Sequence, residues 1–305
     1  MQAGRKTAVR KDGFVVTDIT EFRLTVAVAG LGLIGGSLCK ALKEYTRHRV
    51  LGLDLDSDTT QEAMDAGAVD GIIGAEELSQ ADLVFVCLHP TATIRFLLQN
   101  AGNFKSGGIV ADVCGVKEEI VKAAEPVLLE HGVRFVGCHP MAGREFSGFS
   151  YSLPDLFVGA SFIITPTSRT DPDAVAVLEQ LARRLGFGQV VKATCRQHDR
   201  TIAFTSQLAH IVSSAYIKSS SALEENGFSA GSFQDLTRVA KLNENMWTDL
   251  FLRNKEPLTD EIDQMIRHLQ EYRDAIKNGE EQALKELLKD GRERKEESIR
   301  RHQRP

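Results

Sequence analysis

His139 lies in Gly137-Cys138-His139-Pro140-Met141-Ala142-Gly143-Arg144-Glu145, directly after an apolar run that reads as a strand. An imidazole can take or give a proton near neutral pH, and a positioned general base contributes about 10²–10⁴-fold. A histidine at a strand end can also be a simple cap. Pro140 and the small Ala142-Gly143 pair point instead to a shaped loop at a functional edge. His89, in Leu88-His89-Pro90-Thr91, also follows a strand and suits binding or packing beside a cofactor phosphate better than catalysis. In the C-terminal half, His198 and His210 are too far apart on a helix, about 18 Å along its axis, to touch one ligand atom. Arg238 fits either bidentate recognition of a carboxylate or a surface ion pair with Asp235 at i−3. Trp247 reads as core. Cys87, Cys114 and Cys138 fall at strand ends and read as small buried residues, one of them close enough to a cofactor to be oxidation-sensitive.

The elements that must hold these residues begin at Val26-Ala27-Val28-Ala29-Gly30-Leu31-Gly32-Leu33-Ile34-Gly35-Gly36-Ser37. A short apolar strand runs into G-x-G-x-x-G and then into a helical pattern. Gly30 permits the tight turn, Gly32 lets backbone approach a pyrophosphate, and Gly35 lets helix pack on strand. The N–H groups of the helix that starts at Leu33 and Ile34 are placed to hold the phosphates. Asp54 supplies the acid that this fingerprint requires about 20 residues further on.

Strands are expected at 25–29, 50–54, 83–87, 109–113, 134–138, 162–165 and 188–191, with helices at 33–45, 59–66, 91–100, 117–131 and 173–185. This alternation defines an α/β fold, an N-terminal Rossmann-type parallel sheet covered on both faces. Long helical segments at 199–225, 232–254, 258–276 and 280–302 then form a C-terminal all-helical dimerisation domain, the last of them a solvated, charged helix. The expected boundaries are an N-terminal arm over 1–23, with a strand candidate at 14–16, an NAD-binding domain over 24–192 and a helical substrate and dimerisation domain over 193–305.

The chain has 305 residues, 42% of them hydrophobic and 26% charged, an ordinary composition for a globular protein. A net charge of -5 argues against a nucleic-acid partner, and an anionic substrate would need a local basic cluster. Five cysteines without C-x-x-C spacing, no membrane-length apolar run and no signal-peptide core lead to the expectation of a cytoplasmic protein without a bound metal.

In the order of its motifs the chain resembles the prephenate dehydrogenases. GLGLIGGS resembles the family's cofactor loop, DVCGVK its loop after a central strand, and GCHPMAGREFSG its catalytic-histidine loop. HD at 198–199 with TSQLAHIVSSA, and then FQDLTRVAKLNENMWTDLFLRNKE, resemble its helical half. The resemblance implies that His139 takes the ring-hydroxyl proton of prephenate while hydride goes to NAD and carbon dioxide leaves. It implies that His210 and Arg238 meet the substrate and its carboxylates, and that Asp54 binds the adenosine ribose and disfavours NADP. The C-terminal helices, which need partners for their apolar faces, lead to the expectation of a homodimer. Gly115 stands where the family commonly has serine, so Cys114 or a water would have to substitute for that hydroxyl. Arg144 stands where threonine is frequent, and could meet a substrate carboxylate. Arogenate dehydrogenase is the nearest alternative. An imine reductase of the same two-domain architecture and a non-catalytic NAD sensor are further ones.

Overall fold

The computed structural model describes residues 23–302 apart from Glu225. The expected strand at 14–16 and nearly all of the N-terminal arm lie outside the described residues. Eight strands form one sheet: β1 Thr25–Ala29, β2 Arg49–Leu53, β3 Gly71–Ile72, β4 Leu83–Val86, β5 Ile109–Asp112, β6 Arg134–Pro140, β7 Ser161–Thr165 and β8 Gln189–Lys192. Their spatial order is β3-β2-β1-β4-β5-β6-β7-β8. Helices α1 Leu33–Tyr45, α2 Ser57–Asp65, α3 Pro90–Gln99, α4 Glu118–Glu130 and α5 Pro172–Arg184 alternate with the strands.

The apolar runs explain this layering. In β1, Val26 and Val28 pack into one layer with Leu38 and Leu42 of α1 and Leu178 and Leu181 of α5. Ala27 and Ala29 face the opposite layer, with Leu97 of α3 and Ile120 and Leu128 of α4. A strand buried on both faces has no polar side to alternate, hence the continuous Leu83-Val84-Phe85-Val86. The sheet is not parallel throughout: β6 and β7 pair antiparallel, His139 opposite Ile163. Their connection holds only a short turn of 3₁₀ helix at Phe149–Tyr151, and a parallel return needs a crossover that this segment does not build. The two-residue β3 escapes sequence reading because it is too short to show a period.

The turn from β1 into α1 explains two glycines. Gly30 has φ +91°, and a Cβ there would meet the Cys87 carbonyl oxygen at 2.6 Å. A Cβ on Gly35 would overlap the carbonyl oxygen of Gly30 itself.

Beyond β8 run α6 Cys195–Ile202, a π-helical turn Ala203–Leu208, α7 Ala209–Tyr216, α8 Gly231–Thr237 and α9 Glu244–Arg253. The continuous helices expected over 199–225 and 232–254 are therefore both interrupted. The first widens at the π turn and ends at Tyr216, after which only a short 3₁₀ turn, Ser220–Leu223, follows. The second restarts because the Asn243 side chain accepts from Met246 N and caps a new helix. All these elements belong to one compact unit, which ends at Asn254.

A second unit begins at Lys255 and consists of α10 Lys255–Asn278 and α11 Glu281–His302. Gly279, at φ +70°, turns the chain between them, and the Tyr272 hydroxyl donates to Leu287 O. Pairs four residues apart, Lys285 with Glu281 and Arg294 with Asp290 among them, line the exposed α11, as its charge pattern predicts. No helix among the described residues is long and apolar enough to cross a membrane.

Gly35→Ala is expected to lower the unfolding free energy by about 1–3 kcal/mol through overpacking. Gly32→Ala should cost less, since a Cβ there meets nothing within 4 Å. Urea unfolding of the two variants checks this; equal destabilisation would contradict the assigned close contact.

Candidate active site

The strand order reverses direction between β1 and β4, and in such sheets ligands bind outside the carboxyl ends at that switch point. The N-termini of α1, α3 and α4 all open on this edge, each with N–H groups that need acceptors. At α3, His89 is the cap residue but makes no capping bond; Asp249 of α9 instead accepts from Thr91 N and Oγ1 at 2.8 and 2.7 Å. Arg253 holds that carboxylate at 2.8 Å and also pairs with Glu119 of α4. At α4, Asp199 of α6 accepts from Lys117 N and Glu118 N, both at 2.8 Å. At α1 the cap is Gly32, whose missing side chain leaves the first turn bare. Of the three, α1 is thus the helix with no side chain capping its N–H groups among the described residues. Asp54 lies alongside, accepting from Leu31 N at 2.7 Å and from Asp56 N at 3.1 Å. Gly30, Gly32, Leu33, Ile34, Gly35 and Asp54 therefore lie together as a dinucleotide fingerprint requires, and the bare helix end fits a pyrophosphate. His89 is exposed at the head of α3.

His139 sits near the carboxyl end of β6, half-buried, with its Nδ1 2.9 Å from Nε2 of His198. His198 is buried, and its Nδ1 lies 2.6 Å from Oδ1 of Asp199. Burial lowers the pKa of both imidazoles, and the Lys117 cation adds to the effect. For His139 the neighbouring His198 lowers it further, well below the ordinary value; for His198, Asp199 opposes the shift. Lys117 is 0% exposed, donating to Cys138 O at 2.7 Å and pairing with the equally buried Asp112. Burial pushes the Asp112 carboxyl up and Lys117 pulls it back, while its Oδ1 is buried without a hydrogen bond among the described residues.

Gly115 faces this histidine: a Cβ there would stand 3.8 Å from His139 Nε2 and 3.3 Å from the Leu250 side chain. Nε2 thus points towards the loop after β5, away from His198. Cys114 does not take the place of the missing hydroxyl. Its thiol contacts Leu88 O at 3.1 Å and Thr93 Oγ1 at 3.2 Å beneath α3, and burial raises its pKa to about 12. Burial raises the Cys87 and Cys138 thiols as well, which opposes formation of the thiolate.

His210 donates from Nδ1 to Ser206 O at 2.8 Å and packs on Trp247, ring centroids 4.0 Å apart. Trp247 is consequently half-buried as a wall for His210, not core as its type suggests. Arg238 pairs with Glu145 at 2.6 Å, not with Asp235, and its charge reaches His210, whose pKa burial and Arg238 both lower. The pair is open to solvent, 65% and 41% exposed. Arg144 donates to Tyr151 O at 3.1 Å on the same loop.

The residues that sequence reading missed are those behind His139. The spacing of His198 relates it only to His210 on its own helical segment, whereas its partner lies across the fold on β6. Asp199, Lys117 and Asp112 are polar residues in apolar surroundings, and their adjacency to HD and DVCGVK was the available signal.

A Rossmann-type sheet with a bare helix end and an acid beside it is the arrangement of a nucleotide-dependent oxidoreductase. Residues 38–191 match the family described as "Prephenate dehydrogenase, nucleotide-binding domain", and residues 194–290 the one described as "Prephenate dehydrogenase, dimerization domain". The chain belongs to the prephenate dehydrogenase family. It is 30% identical to the cyclohexadienyl dehydrogenase of Zymomonas mobilis over 285 residues, 87% of this chain and 92% of that one. It is 29% identical to the prephenate dehydrogenase of Bacillus subtilis over 277 residues, 87% of this chain and 74% of the relative. Among solved structures, the A. aeolicus prephenate dehydrogenase in complex with hydroxyphenyl propionate and NAD+ superposes with a TM-score of 0.81 at 28% identity, covering 90% of this chain and 98% of that one. The Synechocystis arogenate dehydrogenase gives 0.76 at 27% identity, covering 90% and 100%.

Lys117→Met would strand the buried Asp112 carboxylate and is expected to cost about 3–5 kcal/mol of stability. The double variant with Asp112→Asn should recover part of that loss in the same denaturant titration. A single variant as stable as the parent would contradict the pairing.

Proposed function

We propose that this chain catalyses the NAD-dependent oxidative decarboxylation of prephenate to 4-hydroxyphenylpyruvate, as a homodimer, with His139 as the base. The observation that carries the reading is the free edge of His139, turned towards Gly115 and the loop after β5 while its other nitrogen is tied to His198. NAD, held at the bare end of α1 with Asp54 at its ribose, supplies the hydride acceptor when bound. The chain's own part is to position and to move one proton. His139 is kept neutral by burial and by the Lys117 cation, so its Nε2 can take the ring-hydroxyl proton. Arg238 offers its guanidinium to a substrate carboxylate in place of Glu145, and His210, backed by Trp247, closes the wall between them. Loss of the carboxylate makes the ring aromatic, so alignment at about 3–3.5 Å is most of what the protein must provide.

A second reading is favoured by one observation. Glu145 is an acid on the histidine loop, and the ammonium group of arogenate could engage it where the keto group of prephenate could not. NADH formation from each pairing of NAD or NADP with prephenate or arogenate separates the two. Turnover with neither substrate would overturn both.

His139→Asn is expected to lower kcat at least about 10²-fold with little change in NAD affinity. Because the His139 pKa lies below its ordinary value, the base form persists as pH falls through neutrality. The acid limb of kcat/KM should therefore fall away below 6.5, and a limb centred above neutrality would contradict the assignment. Arg238→Gln should mainly raise KM for prephenate; an unchanged KM would remove Arg238 from the site.

A further inference from the structure

His198 is the buried histidine that the proposed reaction leaves without a role. Its side chain is 0% exposed, yet both ring nitrogens are engaged, Nδ1 with Asp199 and Nε2 with His139. A buried link between two histidines carries one proton, and which ring donates it decides what the outer nitrogen of His139 can do. We infer that His198, oriented by Asp199, is a positioning residue that fixes the proton of His139 on Nδ1 and so leaves Nε2 as the lone pair facing the substrate. This rests on the proposed role of His139 as base.

The assignment follows from the acceptor at the end of the chain. The Asp199 carboxylate already accepts from Lys117 N and Glu118 N, where the positive end of α4 favours its charged form. An ionised carboxylate 2.6 Å from His198 Nδ1 requires a proton on that nitrogen. A neutral His198 then presents a lone pair at Nε2, and a bond of 2.9 Å to His139 requires the proton to sit on His139 Nδ1. The opposite arrangement needs either a doubly protonated His198 or a lone pair facing a carboxylate. The charged groups facing the two rings are Asp199 on α6, Lys117 at the head of α4 and Asp112 on β5. Lys117 stands against a second cation there while Asp112 neutralises Lys117, so the resting relay is neutral. When Nε2 takes the substrate proton, the new imidazolium strengthens its bond to His198, and Asp199 lies behind as the counter-anion.

A packing role and a positioning role make different predictions. Glutamine at position 198 can offer an amide oxygen to His139 Nδ1, whereas leucine fills similar volume and offers none. His198→Leu is expected to lower kcat about 10²-fold with KM for prephenate little changed, and His198→Gln to recover most of that loss. Nitrogen NMR of the full chain labelled in its histidine rings should show His139 protonated at Nδ1 and bare at Nε2 above neutrality, and this distribution should survive in His198→Gln. A proton on Nε2 of His139 in the parent, or equal kcat for the leucine and glutamine variants, would overturn the inference. The parent spectrum decides the matter even where a variant does not fold. If the base reading itself is wrong, His139→Asn keeps its kcat while the spectrum is unchanged, which tells the two failures apart.

Discussion

Asp199 accepts from Lys117 N, Glu118 N and His198 Nδ1, and the geometry of the site depends on that one carboxylate. It caps a helix of the sheet from outside, because Lys117 has no capping side chain of its own. The same contact orients His198 and, through it, His139 on β6. Asn254 secures the arrangement from the end of α9, donating to Asp199 O and to the Gln207 side chain. Asp249 does for α3 what Asp199 does for α4. Two acids of the helical segment thus fill two helix ends, and the bare end of α1 remains for phosphate. That division explains why α6 to α9 form one compact unit with the sheet.

The electrostatics follow from the same layout. Lys117, Asp112, His198 and Asp199 are buried together, where an unpaired charge is costly, so each finds a partner in this group. Burial lowers the pKa of both histidines, and the Lys117 cation, itself paired with Asp112, adds to the shift. Arg238 stands apart, exposed and paired with Glu145, where an ion pair contributes little to stability. The half-buried His139, tied to His198, and the solvated Arg238, paired with Glu145, are thus held in different ways.

Much of this was legible in the sequence. β1 and α1 fall where the apolar run and G-x-G-x-x-G place them, and the six other expected strands appear within two residues of their predicted ends. Local chemistry suffices there, since two-sided burial and a glycine turn are written in consecutive residues. The antiparallel β6–β7 pair was not legible, because it depends on what the 141–160 connection does not build. Nor were the helix caps: Asp199 and Asp249 are remote in the chain from the ends they fill, while cap signals are read within four residues. His139 was recognisable from its strand end, whereas His198 required the register of α6 against β6. Cys114 shows the converse failure, a plausible side chain at the right position that is turned beneath α3.

The central claim is that Nε2 of His139 is the atom aimed at the substrate hydroxyl. A crystal structure of this protein with NAD and a phenolic product analogue such as hydroxyphenyl propionate tests it most directly. The account predicts the phenol oxygen within about 2.6–3.2 Å of Nε2, with Nδ1 still on His198. A phenol bound away from His139, or a His139 ring turned so that Nε2 meets His198, would contradict it.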